Sequence, residues 1–376
     1  MPLIASVGPV RSGAERIAGL DLVRATAISL VLLSHLSVFT ARVWAPTAVL
    51  SVGGLPGVEI FFALSGFLIG GILYRSHNAG VLSPLLFWRR RWLRTIPAYL
   101  VFLSLNLALW ILNGRPPAVA WRYLVYLQNL NWPHPDFFPE AWSLAVEEWF
   151  YLLAPLLLLG LTLVLPRKRA FLAMACTLIG LPLIYRLLLV ALTNPSFDLG
   201  VRKIVLPRLD AIGLGVLMAY LSQEGFFSRR GMRAVMALAG AVLLVVSIAV
   251  GLAAAKTERV DTYFNRTWLL FICPLGAALT LPFFAQVRDF PGRLMTHAVS
   301  HLAAISYSAY LCNLLIYQLF LRAPWASRQP PAWQAALFLG AVLLIATISY
   351  WAIERPFIRL YHQLDARRKG FTGAAA

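Results

Sequence analysis

Ten apolar runs, each close to 20 residues long, limit what this chain can fold into. A helix of about 20 apolar residues spans the hydrocarbon core of a bilayer. With 60% hydrophobic and 13% charged residues, a soluble fold would expose large apolar patches. The sequence therefore predicts an all-α integral membrane protein, a bundle of about ten transmembrane helices. The runs lie near residues 19–40, 56–74, 95–112, 141–164, 170–192, 206–222, 232–254, 267–286, 299–321 and 334–353.

The positive charges predict how the bundle is oriented. The net charge is +18, but Lys and Arg lie in short clusters between the apolar runs. This pattern favours the positive-inside rule over a basic surface for nucleic acid, so we expect a lipid bilayer and no nucleic acid as partners. Lys and Arg are more frequent at the two termini and in the even-numbered loops than in the odd-numbered ones. We therefore expect both termini in the cytoplasm.

The remaining organisation is simple. We predict a cytoplasmic N-terminal segment at 1–18, a membrane domain at 19–360 and a short basic cytoplasmic tail at 361–376. Cys176, Cys273 and Cys312 all lie inside apolar runs, without the spacing of a disulfide framework or a metal site. We therefore expect buried thiols and no bound metal.

Ionisable side chains inside the predicted spans are candidates for function, because each costs about 2.5–3.5 kcal/mol on insertion scales. The alternating topology places five of them at similar depth toward the outer side. These five are His35, Glu59, Glu147, Arg186 and Asp210.

His35 is the leading catalytic candidate. A histidine near carboxylates such as Glu59 or Glu147 is suited to general-base catalysis, because a carboxylate orients the ring and stabilises the imidazolium. The alternative is that His35 only satisfies a neighbouring polar group in the bundle. Arg24 lies eleven residues earlier, close to three helical turns, so the two residues share one helix face about 16 Å apart along the axis.

A basic cluster at residues 88–94 lies on the same predicted side as Arg24. Guanidinium groups bind phosphates bidentately, and Arg91 and Arg94 face one way at a spacing of three. An extended acyl-CoA would suit this arrangement, with its nucleotide at the arginines and its thioester near His35. The alternative is that the arginines only fix topology and contact lipid.

The fourth span carries a polar stripe that must face protein or water. Ser143, Glu147 and Tyr151 lie at spacings of four, on one face of a helix. Glu148 lies off this stripe, and we expect it closer to solvent.

Several segments together resemble the acyltransferase-3 family of membrane O-acyltransferases. The spacing of Arg24 and His35 matches the family pattern of an arginine, ten residues and a histidine on helix 1. The other similar segments occur in family order from about residue 16 to 360. They are Gly57 to Leu68, Arg91 to Tyr99, Trp142 to Tyr151, Arg208 to Gly215, Ser306 to Leu311 and Ile353 to Phe357.

Two positions depart from the family pattern. Glu59 stands where many relatives have aspartate, which keeps the charge. Asn313 stands where the family often has histidine. A proton shuttle that used this second histidine cannot operate here, so His35 is expected to carry the base role alone, while Asn313 still offers hydrogen bonds to a substrate.

The resemblance implies transfer of an acyl group, usually acetyl, from cytoplasmic acyl-CoA to a hydroxyl. The implied acceptor is a sugar of an envelope or secreted glycan or a lipid-linked saccharide, and the implied location is the bacterial inner membrane. Some relatives carry an appended hydrolase-like domain. This chain ends soon after Arg359, so we expect the stand-alone form.

The resemblance and the polar residues together give a predicted site. We assign catalysis to His35, Glu59 and Glu147, and acyl-CoA binding to Arg24, Arg91 and Arg94. The predicted acceptor-binding residues are Trp142, Ser143, Tyr151, Arg186, Arg208, Asp210 and Asn313. Two alternatives are a polytopic transporter of a small anionic or sugar-like solute, in which these charges line a pathway, and a non-catalytic membrane scaffold.

Overall fold

The computed structural model describes residues 17–40, 52–115, 117–360 and 363–364, and every regular element within them is helical. The predicted segments 1–18 and 361–376 therefore fall almost entirely outside the described residues. The helices are α1 (Ala18–Thr40), α2 (Gly54–Asn78), α3 (Pro84–Leu112), α4 (Trp121–Leu124), α5 (Ala141–Thr162), α6 (Arg167–Thr193), α7 (Leu209–Gln223), α8 (Arg230–Lys256), α9 (Leu270–Phe284), α10 (Arg293–Arg322), α11 (Pro324–Ser327) and α12 (Pro331–Ser349).

Nine helices in the described ranges are long and apolar enough to cross a membrane. The prediction of an all-α polytopic membrane protein is confirmed. The predicted span at 206–222 differs from the others, because α7 has only 15 residues and follows a 3-10 turn at Leu206–Arg208. Its length of about 22 Å is shorter than a bilayer core of about 30 Å, and it lies packed among α2, α6 and α9.

Local sequence signals set several helix ends. Pro84 and Pro331 stand in the first turns of α3 and α12, where a missing backbone N–H costs nothing. Asn194 ends α6 in the left-handed conformation, with φ of 46°. Gln128 and Asn129, in the connection before α5, donate side-chain hydrogen bonds of 3.1 Å to the carbonyls of Ala141 and Trp142. These two bonds fix the start of α5, which becomes important for the site.

Small residues allow α2 and α7 to pack with their backbones in contact. A Cβ at Gly66 would meet the carbonyl of Ile212, and a Cβ at Gly215 would meet the carbonyl of Ala63. Close approach of this kind is typical of helix pairs in membranes, where small residues take the place of a hydrophobic driving force.

Gly215→Ala is expected to destabilise the protein by about 1–3 kcal/mol, because the new methyl group forces two backbones apart. Gly160→Ala in α5 is the matched control, since nothing lies within 4 Å of a Cβ there. Thermal unfolding of the two purified variants in the same detergent measures the difference. Equal midpoints would show that the α2–α7 contact tolerates a side chain.

Candidate active site

Two cavities lie between α1, α2, α5 and α10, at different depths in the bundle. The arginine cavity, of about 130 Å³, is lined by residues that include Arg24, Ser65, Arg91, Arg94, Glu147 and Tyr151. The histidine cavity, of about 500 Å³, is lined by residues that include His35, Glu140, Trp142, Asp198, Arg202 and Asn313. Each of the four helices contributes to both cavities.

A thin partition separates the two cavities. Val58 of α2 and Tyr310 of α10 border both of them. The Tyr310 hydroxyl shares a hydrogen bond of 2.7 Å with Ser143 Oγ, which holds the ring in place. The two cavities therefore share a border at these two side chains.

The arginine cavity brings together the three arginines that the sequence selected for phosphate binding. The Arg91 guanidinium lies 6.0 Å from the ring centroids of both Phe87 and Tyr151. Its Nε is buried without a hydrogen-bond partner in the part of the chain that the structure describes. Arg24 Nη1 lies 3.6 Å from Asp21 Oδ1. Arg91 therefore brings a buried guanidinium to the wall of the arginine cavity.

The polar stripe of α5 forms part of the same cavity. Ser65 Oγ lies 3.0 Å from the Tyr151 hydroxyl, which donates to Glu147 Oε2 at 3.3 Å. Trp88 Nε1 donates to the Tyr151 carbonyl at 2.9 Å. Glu147 therefore lies with the arginines and not beside His35, which differs from the predicted common depth.

Glu148 also differs from its prediction. It is buried, and its two carboxylate oxygens accept hydrogen bonds from Thr95 Oγ1 at 3.0 Å and Trp92 Nε1 at 3.1 Å. The expectation that Glu148 lies closer to solvent was wrong, because α3 packs against this side of α5. The pair of bonds ties the two helices together.

His35 and Asn313 meet in the histidine cavity. The Asn313 side chain lies beside the His35 ring, and its amide nitrogen donates to the Tyr310 carbonyl at 2.6 Å. Asn313 Oδ1 and His35 Nδ1 are both buried without a hydrogen-bond partner among the described residues. Neither Glu59 nor Glu147 borders this cavity. The group beside the imidazole is thus an amide on α10, not the predicted carboxylate.

Sequence reasoning missed Glu140, a carboxylate that does border the histidine cavity. Its side chain is 3% exposed, and neither carboxylate oxygen makes a hydrogen bond within the described ranges. A signal was present in the sequence, because Glu140 extends the stripe of Ser143, Glu147 and Tyr151 by one further turn. Its position just before the predicted span made it look like a loop residue.

A charged cluster lies at another wall of the histidine cavity, in the π-helical turn Asp198–Arg202 and the residue that follows it. Arg202 Nε donates to Asp198 Oδ1 at 2.7 Å, and Lys203 Nζ lies 2.7 Å from Asp198 Oδ2. Burial alone would raise the pKa of Asp198, but the two cations hold it below its ordinary value. The Arg202 guanidinium also lies 5.1 Å from the ring centroid of Trp142, so the predicted acceptor residue Trp142 is fixed in the cavity wall.

Four predicted site residues form two buried ion pairs instead of lining a cavity. Arg208 of the 3-10 turn binds both carboxylate oxygens of Glu59 and donates to the Leu270 carbonyl at 2.8 Å. Arg186 Nη2 lies 2.7 Å from Asp210 Oδ2. All four side chains are fully buried, and none borders the arginine or the histidine cavity. The pairs join α2, α6, α7 and α9 behind the cavities.

The described residues contain no group of three or more His, Cys, Asp or Glu that is arranged to hold a metal ion. The arginine cavity presents guanidiniums, whereas the histidine cavity presents an imidazole, an amide, the Glu140 carboxyl and the paired charges of Asp198, Arg202 and Lys203. Such groups suit an anionic ligand and a hydroxylated ligand respectively.

A comparison with known protein families identifies the family of this chain. The family model described as an acyltransferase domain matches residues 17–351, nearly the whole described bundle. The chain belongs to the acyltransferase-3 family. Both ends of the acyltransferase-3 arginine–histidine spacing border cavities, Arg24 the arginine cavity and His35 the histidine cavity.

Curated bacterial proteins are similar over most of this chain. A peptidoglycan O-acetyltransferase of Listeria monocytogenes is 26% identical over 92% of the chain and 56% of its own length. A putative peptidoglycan O-acetyltransferase of Bacillus subtilis is 28% identical over 90% of the chain and 54% of its own length. A putative O-acetyltransferase of Staphylococcus aureus is 25% identical over 91% of the chain and 57% of its own length. The chain thus spans little more than half the length of these relatives. No solved structure matches it.

Proposed function

We propose that the protein is a membrane O-acyltransferase that moves an acyl group, most simply acetyl, from acyl-CoA in the arginine cavity to a hydroxyl in the histidine cavity. The observation that carries this proposal is the meeting of the two cavities at Val58 and Tyr310. One cavity offers cations and the other an imidazole, which are the groups that a CoA phosphate and a nucleophilic hydroxyl need.

On the donor side, Arg24, Arg91 and Arg94 hold the phosphates of CoA. The axial distance from Arg24 to His35, about 16 Å, is covered by an extended pantetheine arm that runs along α1. Glu147 and Tyr151, bonded to each other and to Ser65, position this arm rather than activate the acceptor. Ser143 acts by holding Tyr310 at the partition.

On the acceptor side, His35 is the general base. Its imidazole takes the proton of the acceptor hydroxyl while the oxygen attacks the thioester carbon. The C–O bond forms, the C–S bond breaks, and the imidazolium returns the proton to the departing CoA thiolate. Asn313 lies where it can orient the ring, and Trp142 supplies an apolar wall. In this proposal, Glu59, Arg186, Arg208 and Asp210 support the bundle instead of binding substrate.

The proposed acceptor is a sugar of an envelope or lipid-linked glycan, in keeping with the peptidoglycan named for the relatives. Acyl-CoA is a cytoplasmic metabolite, so the proposal places the arginine cavity on the cytoplasmic side of a bacterial inner membrane. It also places both termini on that side, which requires α7 to count as a tenth crossing beside the nine long helices of the described ranges. The membrane domain is proposed to cover residues 19–360.

Arg91→Ala is expected to raise the KM for acetyl-CoA about 10- to 100-fold, the cost of one or two charge-assisted hydrogen bonds, with a smaller change in the KM for the saccharide. The assay follows label from acetyl-CoA to a panel of envelope saccharides, using protein in nanodiscs so that both cavities are accessible. Arg89→Ala is the matched control, since Arg89 is exposed on the same helix and lines neither cavity.

The results of this assay distinguish an acyltransferase from a protein without a phosphate site and from a transporter. An equal effect of Arg91→Ala and Arg89→Ala would contradict a phosphate site in the arginine cavity. Label that moves to no saccharide in the panel, together with passage of a labelled saccharide through sealed proteoliposomes, would favour a transporter over an enzyme.

A further inference from the structure

The Glu140 carboxyl borders the histidine cavity, and neither of its oxygens makes a hydrogen bond to the described residues. It precedes α5, and its position is fixed because Gln128 and Asn129 bond the next two carbonyls. The backbone N–H groups of Glu140 and Leu314 lie nearby, but neither meets hydrogen-bond geometry with the carboxyl. Buried polar groups are almost always paired, so a carboxyl that is 3% exposed beside a cavity indicates a partner that occupies the cavity.

Two other polar atoms of this cavity without hydrogen-bond partners indicate which chemical class of ligand would fit. Asn313 Oδ1 and His35 Nδ1 are also buried without partners in the described structure. Carboxyl and amide oxygens accept hydrogen bonds, and Asn313 Oδ1 keeps a second lone pair even where it faces the His35 ring, so a ligand with several donors suits this cavity. A hydroxyl-rich ligand supplies them, whereas a phosphate or a carboxylate offers acceptors only.

The charges around Glu140 favour a neutral ligand. Arg202 and Lys203, which border the same cavity, are both paired with Asp198. Among the described residues that line this cavity, no Arg or Lys is left to pair with Glu140, and burial raises its pKa to about 8. At neutral pH the group is mainly a carboxylic acid, which donates one hydrogen bond and accepts others, as a sugar hydroxyl does.

We infer that Glu140 binds the acceptor, by pairing its carboxyl with hydroxyls next to the one that His35 deprotonates. This inference rests on the proposed function, in which the acceptor occupies the histidine cavity. A carboxyl has two oxygens and matches two neighbouring hydroxyls of a sugar ring, while Asn313 Oδ1 receives a further hydroxyl. Glu140 takes no proton in the transfer itself, so its contribution lies in the affinity and placement of the acceptor.

The test compares Glu140→Leu with Glu140→Gln in nanodiscs, with labelled acetyl-CoA and soluble N-acetylglucosamine tetrasaccharide as the probe. Leu keeps the size but removes both hydrogen-bonding atoms, whereas the Gln amide still donates and accepts. We expect Glu140→Leu to raise the KM for the saccharide about tenfold or more, the loss of one to two hydrogen bonds. Glu140→Gln should stay within about threefold of wild type, and the KM for acetyl-CoA should not change in either variant.

A direct binding measurement with tritiated tetrasaccharide, on the same nanodiscs and without acetyl-CoA, separates this inference from the proposed function. Weaker binding by Glu140→Leu, with no acetyl transfer by wild type, would support the role of Glu140 and contradict the proposed enzyme. Unchanged binding and KM in Glu140→Leu would overturn the inference while the enzyme stands. An equal rise in the KM for both substrates, or a loss in Glu140→Gln as large as in Glu140→Leu, would also overturn it.

Discussion

His35→Ala is expected to lower kcat for acetyl transfer by about 10² to 10⁴, the usual contribution of a positioned general base. The imidazole borders the histidine cavity, and no described carboxylate is bonded to it that could take over the proton. His35→Gln should be as inactive, because an amide cannot act as a base at neutral pH. The measurement is single-turnover transfer of label from acetyl-CoA at saturating saccharide.

His297→Ala is the matched control for this experiment. His297 is exposed near the start of α10 and borders neither cavity, so its removal should leave kcat unchanged. Binding of acetyl-CoA should be the same in wild type and His35→Ala, since the phosphates lie with the arginines. If His35→Ala keeps a kcat within about threefold of wild type, the imidazole is not the base.

A labelling experiment on the wild-type protein distinguishes direct transfer from an acyl-enzyme mechanism. If His35 itself carries the acyl group, incubation with labelled acetyl-CoA in the absence of saccharide would leave label on the peptide that contains His35. Direct transfer leaves that peptide unlabelled. Rapid quenching followed by mass spectrometry of the peptide resolves the two.

Arg208→Met is expected to destabilise the protein by about 3–5 kcal/mol, because it leaves the Glu59 carboxylate buried without its partner. The effect is large because both side chains are fully buried, and because Arg208 also bonds the Leu270 carbonyl at the start of α9. The double variant Glu59→Gln with Arg208→Met should recover part of the loss, since no charge then stays unpaired. Unfolding in mixed detergent micelles provides the free energies.

An ion pair near the helix ends serves as the comparison. Lys168 Nζ lies 2.8 Å from Glu224 Oε2, but the Lys168 side chain is 64% exposed. Lys168→Met should therefore change stability far less than Arg208→Met. If the double variant is no more stable than Arg208→Met alone, the loss of stability comes from the missing bond to the Leu270 carbonyl and not from the unpaired Glu59 carboxylate.

The sequence predicted those features that depend on spacing within one helix. The spacing of eleven positions from Arg24 to His35 predicted two groups on one helix face at different depths, and the two residues do border two different cavities. The stripe of Ser143, Glu147 and Tyr151 does face protein. Hydropathy similarly predicted the helices, because span length is fixed by the bilayer.

Choices of partner between distant helices could not be predicted. Glu59 was expected beside His35, yet it pairs with Arg208, 149 residues away, because α2 packs against α7. That choice depends on which helices are neighbours, and hydropathy carries no information about it. Glu140 was missed for a related reason, since its burial comes from the connection that covers the start of α5 and not from its own span.

The partition at Val58 and Tyr310 also makes this bundle a permeability barrier. Both side chains line both cavities, and the Ser143–Tyr310 hydrogen bond holds the tyrosine ring there. In the proposed enzyme an acyl group passes this point, while protons and ions must not. The Ser143–Tyr310 bond is then expected to act as a seal as well as a structural contact, and any opening at Tyr310 during turnover is expected to stay narrower than a hydrated ion.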